Sequence, residues 1–161
     1  MHYIIDGYNV INSSGEFSAS SLEERRNRFV EFIQSGVPCG SLRNSVTVVF
    51  DYKSKNPYEA GEYNKSHVGD IEIIFSCGIL SADDIIAELV DESQNPYEIT
   101  VVTNDKGLRR RTSSGGAKHE TVETFLAKGF KTKNIKRAKK YFDNNEKDII
   151  NREFIKLWLK R

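Results

Sequence analysis

Four short runs rich in Val, Ile, Phe and Thr constrain this chain more than any other feature. They occupy residues 3–5, 46–50, 71–75 and 99–102, each short enough for a strand. Their apolar residues are largely continuous rather than alternating. That predicts strands buried on both faces, as in a parallel sheet covered by helices. Helical patterns fill the intervals. Ser20 or Ser21 can cap a helix to about Gln34, with Glu23 and Glu24 in its first turn and Leu22, Phe29, Phe32 and Ile33 on its apolar side. Ser81 can cap a second, in which Ile85, Ile86, Leu89 and Val90 follow Asp83 and Asp84. Residues 106–111 predict a short helix that stops before Gly115 and Gly116. Residues 121–128 predict another, with Gly129 as its C-cap. Residues 146–161 place Ile150, Phe154, Leu157 and Trp158 on one helical face, suited to core packing or docking. Strands alternating with helices predict an α/β domain with a mostly parallel sheet. The polar stretch 53–70 is the longest segment without a pattern, and long loops are often functional.

The acids fall at particular places in this scheme. Asp6 directly follows the first predicted strand and Asp51 the second. A short turn after the third leads to Asp83 and Asp84 at a helix start, and Asp105 follows the fourth. In an open parallel sheet the C-terminal strand ends share one edge, where ligands bind. Acids distant in sequence should therefore converge. Clustered carboxylates repel one another, and a hard divalent cation removes that penalty. Mg²⁺ or Mn²⁺ held there can orient a water, lower its pKa and neutralise charge on a phosphoryl group. Any one such Asp is as readily a turn former or a helix N-cap, and Asp84 could simply favour a helix N-terminus. The set of four points to metal. Asn9 and Asn104 are placed either to assist at that edge or to cap local turns.

Several function classes are excluded. A 161-residue chain fits one domain, and 38% hydrophobic and 29% charged residues suffice for one core under a charged surface. Cys39 and Cys77, the only cysteines, have no zinc-ligand spacing and suit a reducing compartment. The start of the chain has no signal-peptide pattern, and no apolar run approaches the roughly 20 residues of a membrane span. A soluble cytoplasmic protein is expected. A dehalogenase-type phosphatase needs a second Asp two residues after the first, where Tyr8 stands. A phosphoacceptor receiver wants paired acids after the first strand, and here the pair comes at 83–84. No P-loop occurs.

Ile4-Ile5-Asp6-Gly7-Tyr8-Asn9-Val10-Ile11 resembles the opening motif of NYN domains, particularly the YacP-like group of the PIN-like nuclease superfamily. Val48-Val49-Phe50-Asp51, Ile73-Ile74-Phe75-Ser76 with Ser81-Ala82-Asp83-Asp84-Ile85-Ile86, and Val101-Val102-Thr103-Asn104-Asp105 resemble its later motifs in order. The closing segment, from Gly116-Ala117 to Phe125-Leu126, is similar too, so the resemblance runs from about residue 3 to 127. It implies a three-layer α/β/α PIN-like fold, with residues 1–130 as the nuclease domain and 131–161 as a basic, amphipathic helical extension packed on it. It implies a Mg²⁺- or Mn²⁺-dependent endoribonuclease acting in RNA processing or decay, in some relatives at the ribosome. Asp6, Asp83 and Asp105 would be the core metal-binding acids, with Asn9 and Asp84 assisting and Asp51 weaker. This chain departs from the pattern with Ser at 81 for Thr, Asn at 104 for Ser, and Glu88 one position later than the family's Glu.

Net charge is +1, so any nucleic-acid signal must be local. From Phe125 to Phe142 there is no acid, while Lys128, Lys131, Lys133, Lys136, Arg137, Lys139 and Lys140 accumulate. Lys133, Arg137 and Lys140 can share a helical face and hold phosphates, or form a solvated face. Arg109, Arg110 and Arg111 follow Asp105 closely enough to flank the site. His67 and His119 have no nucleophile pattern and are expected to be surface or hydrogen-bonded histidines. RNA, as messenger or ribosome-associated RNA, is the expected partner, with no membrane. The rival readings are an RNA-binding or adaptor domain of the same fold without activity, and a PIN-type toxin nuclease.

Overall fold

The computed structural model describes residues 1–41, 43–52, 64–77 and 80–143, with side chains described through residue 136. The elements run β1 (His2–Asp6), α1 (Gly7–Ser13), α2 (Leu22–Gly36), β2 (Ser45–Phe50), β3 (Asn64–Val68), β4 (Ile71–Phe75), α3 (Ala82–Asp91), β5 (Ile99–Val102), α4 (Lys106–Ser114), β6 (Lys118–Glu120) and α5 (Val122–Asp143). Six strands form one sheet in the order β3-β4-β2-β1-β5-β6. All neighbours are parallel except β3 and β4. The chain builds outward from β1 through β2 to β4, then crosses back to add β5 and β6 on the other side. The strand order therefore reverses between β1 and β5, and the crevice of an open sheet lies at such a point.

The predicted strands bury both faces, as continuous apolar runs should. Tyr3, Ile5, Val48, Phe50, Ile73 and Val102 pack with Val10 and Ile11 of α1, Phe29 and Phe32 of α2, and Phe125 of α5. Ile4, Val49, Ile74 and Val101 face the other way, against Ile85, Ile86 and Val90 of α3 and Leu108 of α4. The result is a mixed α/β fold in three layers, with α1, α2 and α5 on one face of the sheet and α3 and α4 on the other. Among the described residues, no helix is long and apolar enough to cross a membrane.

Three elements differ from the sequence-based expectations. Residues 64–68, expected as part of a long loop, form the antiparallel edge strand β3. Its five residues are all exposed, so no hydrophobic pattern marks it. The signal is the two-residue turn Gly69-Asp70 between Val68 and Ile71, where Gly69 takes a φ of +60°. The remainder of that expected loop, 53–63, and the expected helix 146–161 lie outside the described residues. The short strand β6, Lys118–Glu120, was too brief to show a pattern.

The third difference concerns Gly129, which does not end a helix. α5 continues through it to Asp143, without a break at the 130/131 boundary expected between domain and extension. Its absent side chain serves packing. A Cβ on Gly129 would run into the Phe32 ring, and one on Gly36 would sit 2.9 Å from the Gly129 carbonyl oxygen. α2 and α5 thus cross with backbone against backbone. The Phe32 ring cannot retreat, because Phe17, Phe125 and Phe130 surround it. Gly129→Ala gains up to about 1 kcal/mol of helix propensity, but overpacking a buried crossing costs about 1–3 kcal/mol. The expected outcome is a net loss of about 1–2 kcal/mol. Urea unfolding checks it: the midpoint should fall with the slope unchanged.

Candidate active site

The predicted acids lie toward the C-terminal edge of the sheet, where β1 leads into α1, β4 into α3 and β5 into α4. Asp6 is the last residue of β1 and the N-cap of α1, and its Oδ1 accepts the Asn9 N–H at 3.3 Å. Asp105 is the N-cap of α4, with Oδ1 accepting the Leu108 N–H at 2.8 Å. Asp83 stands in the first turn of α3. Asp6 and Asp105 thus fill the bland role of helix caps, and Asp83 follows the Ser81 cap.

Thr103, fully buried, ties two of the acids together. Its hydroxyl donates to Asp6 Oδ2 at 3.1 Å and accepts the Asp105 N–H at 3.0 Å. Asp6 is largely withdrawn from water. Burial is the main cause that pushes its carboxyl up to about 6, and the charges of Asp83 and Asp105 add to it, against the hydrogen bonds from Asn9 and Thr103. Asp83 is also raised, first by burial and then by repulsion from Asp105, Asp51 and Asp84, with Arg111 opposing. The acids therefore feel one another across the edge. Among the described residues, Asp6, Asp83 and Asp105 form no ion pair.

The other candidates have structural partners. Asp84 completes a capping box with Ser81, whose N–H and hydroxyl both donate to its Oδ2, at 3.1 and 2.7 Å. Its Oδ1 accepts from Arg111 at 2.8 Å. The Arg111 contact first, then Ser81, holds its carboxyl down at about 2. Asp51 accepts from the Ser76 hydroxyl and the Ala82 N–H, each at 3.0 Å, and so fixes the start of α3 beside the end of β2. Asn9 Oδ1 accepts the Asn104 N–H at 2.8 Å, joining α1 to the loop that carries Asp105. Asn104 in turn accepts the Val122 N–H at 3.0 Å and donates to Glu123 at 2.8 Å, anchoring the start of α5.

The basic candidates divide. Arg109 and Arg110 lie on α4, one turn beyond Asp105, with Arg110 exposed. Lys133 and Lys136 are elsewhere. Lys136 Nζ donates to the Ser35 carbonyl at 2.8 Å, at the C-terminal end of α2, from which the chain passes toward the start of β2. Lys133 lines the groove between α2 and α5 with Phe17, Phe32 and Phe130. Both therefore belong to the opposite edge of the sheet from the carboxylates. Arg137 and Lys140 continue the same helix, and their side chains lie outside those described. His119 hydrogen-bonds Thr112 at 2.7 Å, as a structural histidine does, and His67 is exposed in β3. Sequence reasoning gave no role to Thr103. Its signal was a lone hydroxyl residue between a buried strand and an acid.

A mostly parallel sheet clothed by helices, with acids at the starts of α1, α3 and α4, makes this an α/β domain with a carboxylate-bearing edge. The sequence model of the YacP-like NYN domain matches residues 3–159. The chain belongs to that family, a nuclease-type family whose substrate class is RNA. No curated protein matches it. Among solved structures it is similar to Rae1 (YacP) from Bacillus subtilis, with a TM-score of 0.65 at 22% identity over 99% of this chain and 93% of that one. A single-substitution variant of the same protein gives a TM-score of 0.64 at 22% identity, over 96% and 89%.

The raised pKa of Asp6 has a consequence for stability. The folded protein holds this proton more tightly than the unfolded chain, so ionising Asp6 destabilises the fold. The loss starts above the ordinary value of 3.8 and is complete above about 6. In EDTA, Asp6→Asn should raise unfolding stability by roughly 1–3 kcal/mol near pH 7 and give no gain below about pH 4. Denaturant titrations at the two pH values check it.

Proposed function

We propose that this protein is a metal-dependent endoribonuclease that hydrolyses RNA phosphodiester bonds where Asp6, Asp83 and Asp105 meet. The observation that carries this reading is three carboxylates at one edge, with Asp83 and Asp105 helping to raise Asp6, Asp105 helping to raise Asp83, and no ion pair to any of the three among the described residues. Such an arrangement is unfavourable until a cation joins it.

The donor set suits a hard cation. Among the described residues no three acids, imidazoles or thiols are grouped closely enough to hold an ion by themselves. Mg²⁺ does not require that, since it usually takes one or two carboxylates and keeps several waters. Asp6, Asp83 and Asp105 would hold Mg²⁺ or Mn²⁺. The bound ion would supply Lewis-acid activation of water and neutralise charge on the phosphoryl group. The chain's own residues set the stage. Thr103 and Asn9 orient Asp6 and the Asp105 loop. Asp84, spent on Arg111 and Ser81, holds α4 against α3 and is a positioning residue. Arg109 and Arg110 offer positive charge to the RNA backbone on the same side of the sheet. Lys133, Lys136, Arg137 and Lys140 would meet RNA only where it extends well beyond the site.

The test is cleavage of a mixed-sequence single-stranded RNA with Mn²⁺, Mg²⁺ or EDTA. Cleavage should need the metal and leave a 5′-phosphate and a 3′-hydroxyl. Asp6→Asn and Asp83→Asn should each lose at least about 100-fold in rate, and Asp84→Asn no more than about tenfold. Cleavage in EDTA, or a 2′,3′-cyclic phosphate product, would overturn the scheme. RNA that is bound tightly but left intact under all conditions would favour a binding domain of the same fold.

A further inference from the structure

An aromatic cluster with one arginine stands beside the acid edge, rooted in the core at Phe50 and reaching its rim through Tyr8, Phe75 and Tyr52. Phe50 and Phe75 are paired across β2 and β4 at the last position of each strand, with ring centroids 5.6 Å apart. The next residues are Asp51 and Ser76, which anchor α3 one position before Asp83. Tyr8, two residues after Asp6, packs on Phe50 at 5.1 Å. Tyr52, next to Asp51, meets Phe75 edge-on at 6.5 Å and is 54% exposed. Arg26 reaches over from α2. Its guanidinium lies 5.3 Å from the Phe75 centroid and donates to the Tyr8 hydroxyl at 2.8 Å. Among the described residues that hydroxyl is its one hydrogen-bond acceptor, so further N–H groups stay available. A cleft of about 350 Å³, lined by Arg26, Phe50 and Phe75, opens at this place.

We propose that Tyr52, Arg26 and Phe75 form a stacking subsite for one unpaired nucleobase of the RNA strand, positioning the adjoining phosphodiester on the acid edge. The inference rests on the nuclease reading and names the form of substrate it acts on, which is single-stranded. A planar base suits the site for three reasons. An exposed Tyr ring gives it a π-face, a planar guanidinium placed over Phe75 and tied to Tyr8 stands beside it, and spare N–H groups can meet the phosphate that accompanies it. Stacking tolerates any base, because every base has a π-face. A base locked in a duplex cannot enter. The subsite is continuous with the acids through Tyr52, Asp51 and Ala82, so a base there and a phosphate at Asp83 can belong to neighbouring nucleotides.

The probe is a single-stranded oligouridine carrying one 2-aminopurine, whose fluorescence falls on stacking. Binding is followed with Ca²⁺, and cleavage separately with Mn²⁺. Wild type should quench the probe, and an RNA duplex should compete poorly. Tyr52→Ala should abolish the quench and weaken binding at least about fivefold, with the loss in KM rather than kcat. Tyr52→Phe should restore both. Tyr52 is exposed, so its variants should fold, which thermal melting verifies. Arg26→Ala should weaken binding in the same direction. No quench with wild type, a Tyr52→Ala variant that quenches and binds like wild type, or failure of Tyr52→Phe to rescue would overturn the subsite. Normal quench and rescue with no cleavage would defeat the nuclease reading and leave the subsite standing.

Discussion

At the acid edge, carboxylates close the junctions by which β1 passes into α1, β4 into α3 and β5 into α4. Asp6 does so for α1 and Asp105 for α4, while Asp51 and Asp84 share the task at α3. Unpaired N–H groups at helix starts need acceptors, and the positive end of a helix favours negative charge. Two requirements that are usually separate are thus met by the same side chains. The caps hold the elements in register with the sheet, and the elements hold the carboxylates near one another. Mutual repulsion among Asp6, Asp83 and Asp105 is tolerated because helix starts and Thr103 offset part of it.

Much of this was legible in the sequence, for definable reasons. The four buried strands announced themselves because both of their faces are covered, which leaves no polar alternation. The acids announced themselves because parallel topology sends every strand end with the same direction to the same edge. The family motifs around Asp6, Asp83 and Asp105 follow from that geometry. What was hidden depended on contacts between distant residues. Gly129 reads as a helix terminator until Phe32 and Gly36 are seen against it. The burden on Asp84 is invisible without Arg111, which lies 27 residues away. β3 is entirely exposed and carries no hydrophobic message. The basic run after Phe125 reads equally as a phosphate-holding or a solvated face, and only the structure shows Lys136 bound at the end of α2.

The two halves of the acid edge differ in character. On the side of β5, the loop with Asn104 and Asp105 is a dense polar network running from Asn9 to Glu123. On the side of β2 and β4 the edge is aromatic, with Tyr8, Phe50, Tyr52 and Phe75 in mutual contact. Charged chemistry needs fixed dipoles around it, and a flat apolar group needs rings. Placing them on either side of β1 gives a strand of nucleic acid a direction in which to lie.

Among the described residues the sheet ends at β3 and β6, and both are poor templates for another chain. β6 offers only three residues, Lys118–Glu120. β3 is longer, but it presents Asn64, Lys65, Ser66 and His67 to solvent, with a charge in its middle. Parallel sheets form slowly and spend time with unpaired edges exposed. A border that is either too short or too polar to recruit a neighbouring strand guards against sheet-to-sheet aggregation during that interval. The strand that carried no hydrophobic message is, by that same property, a poor template for pairing with another strand.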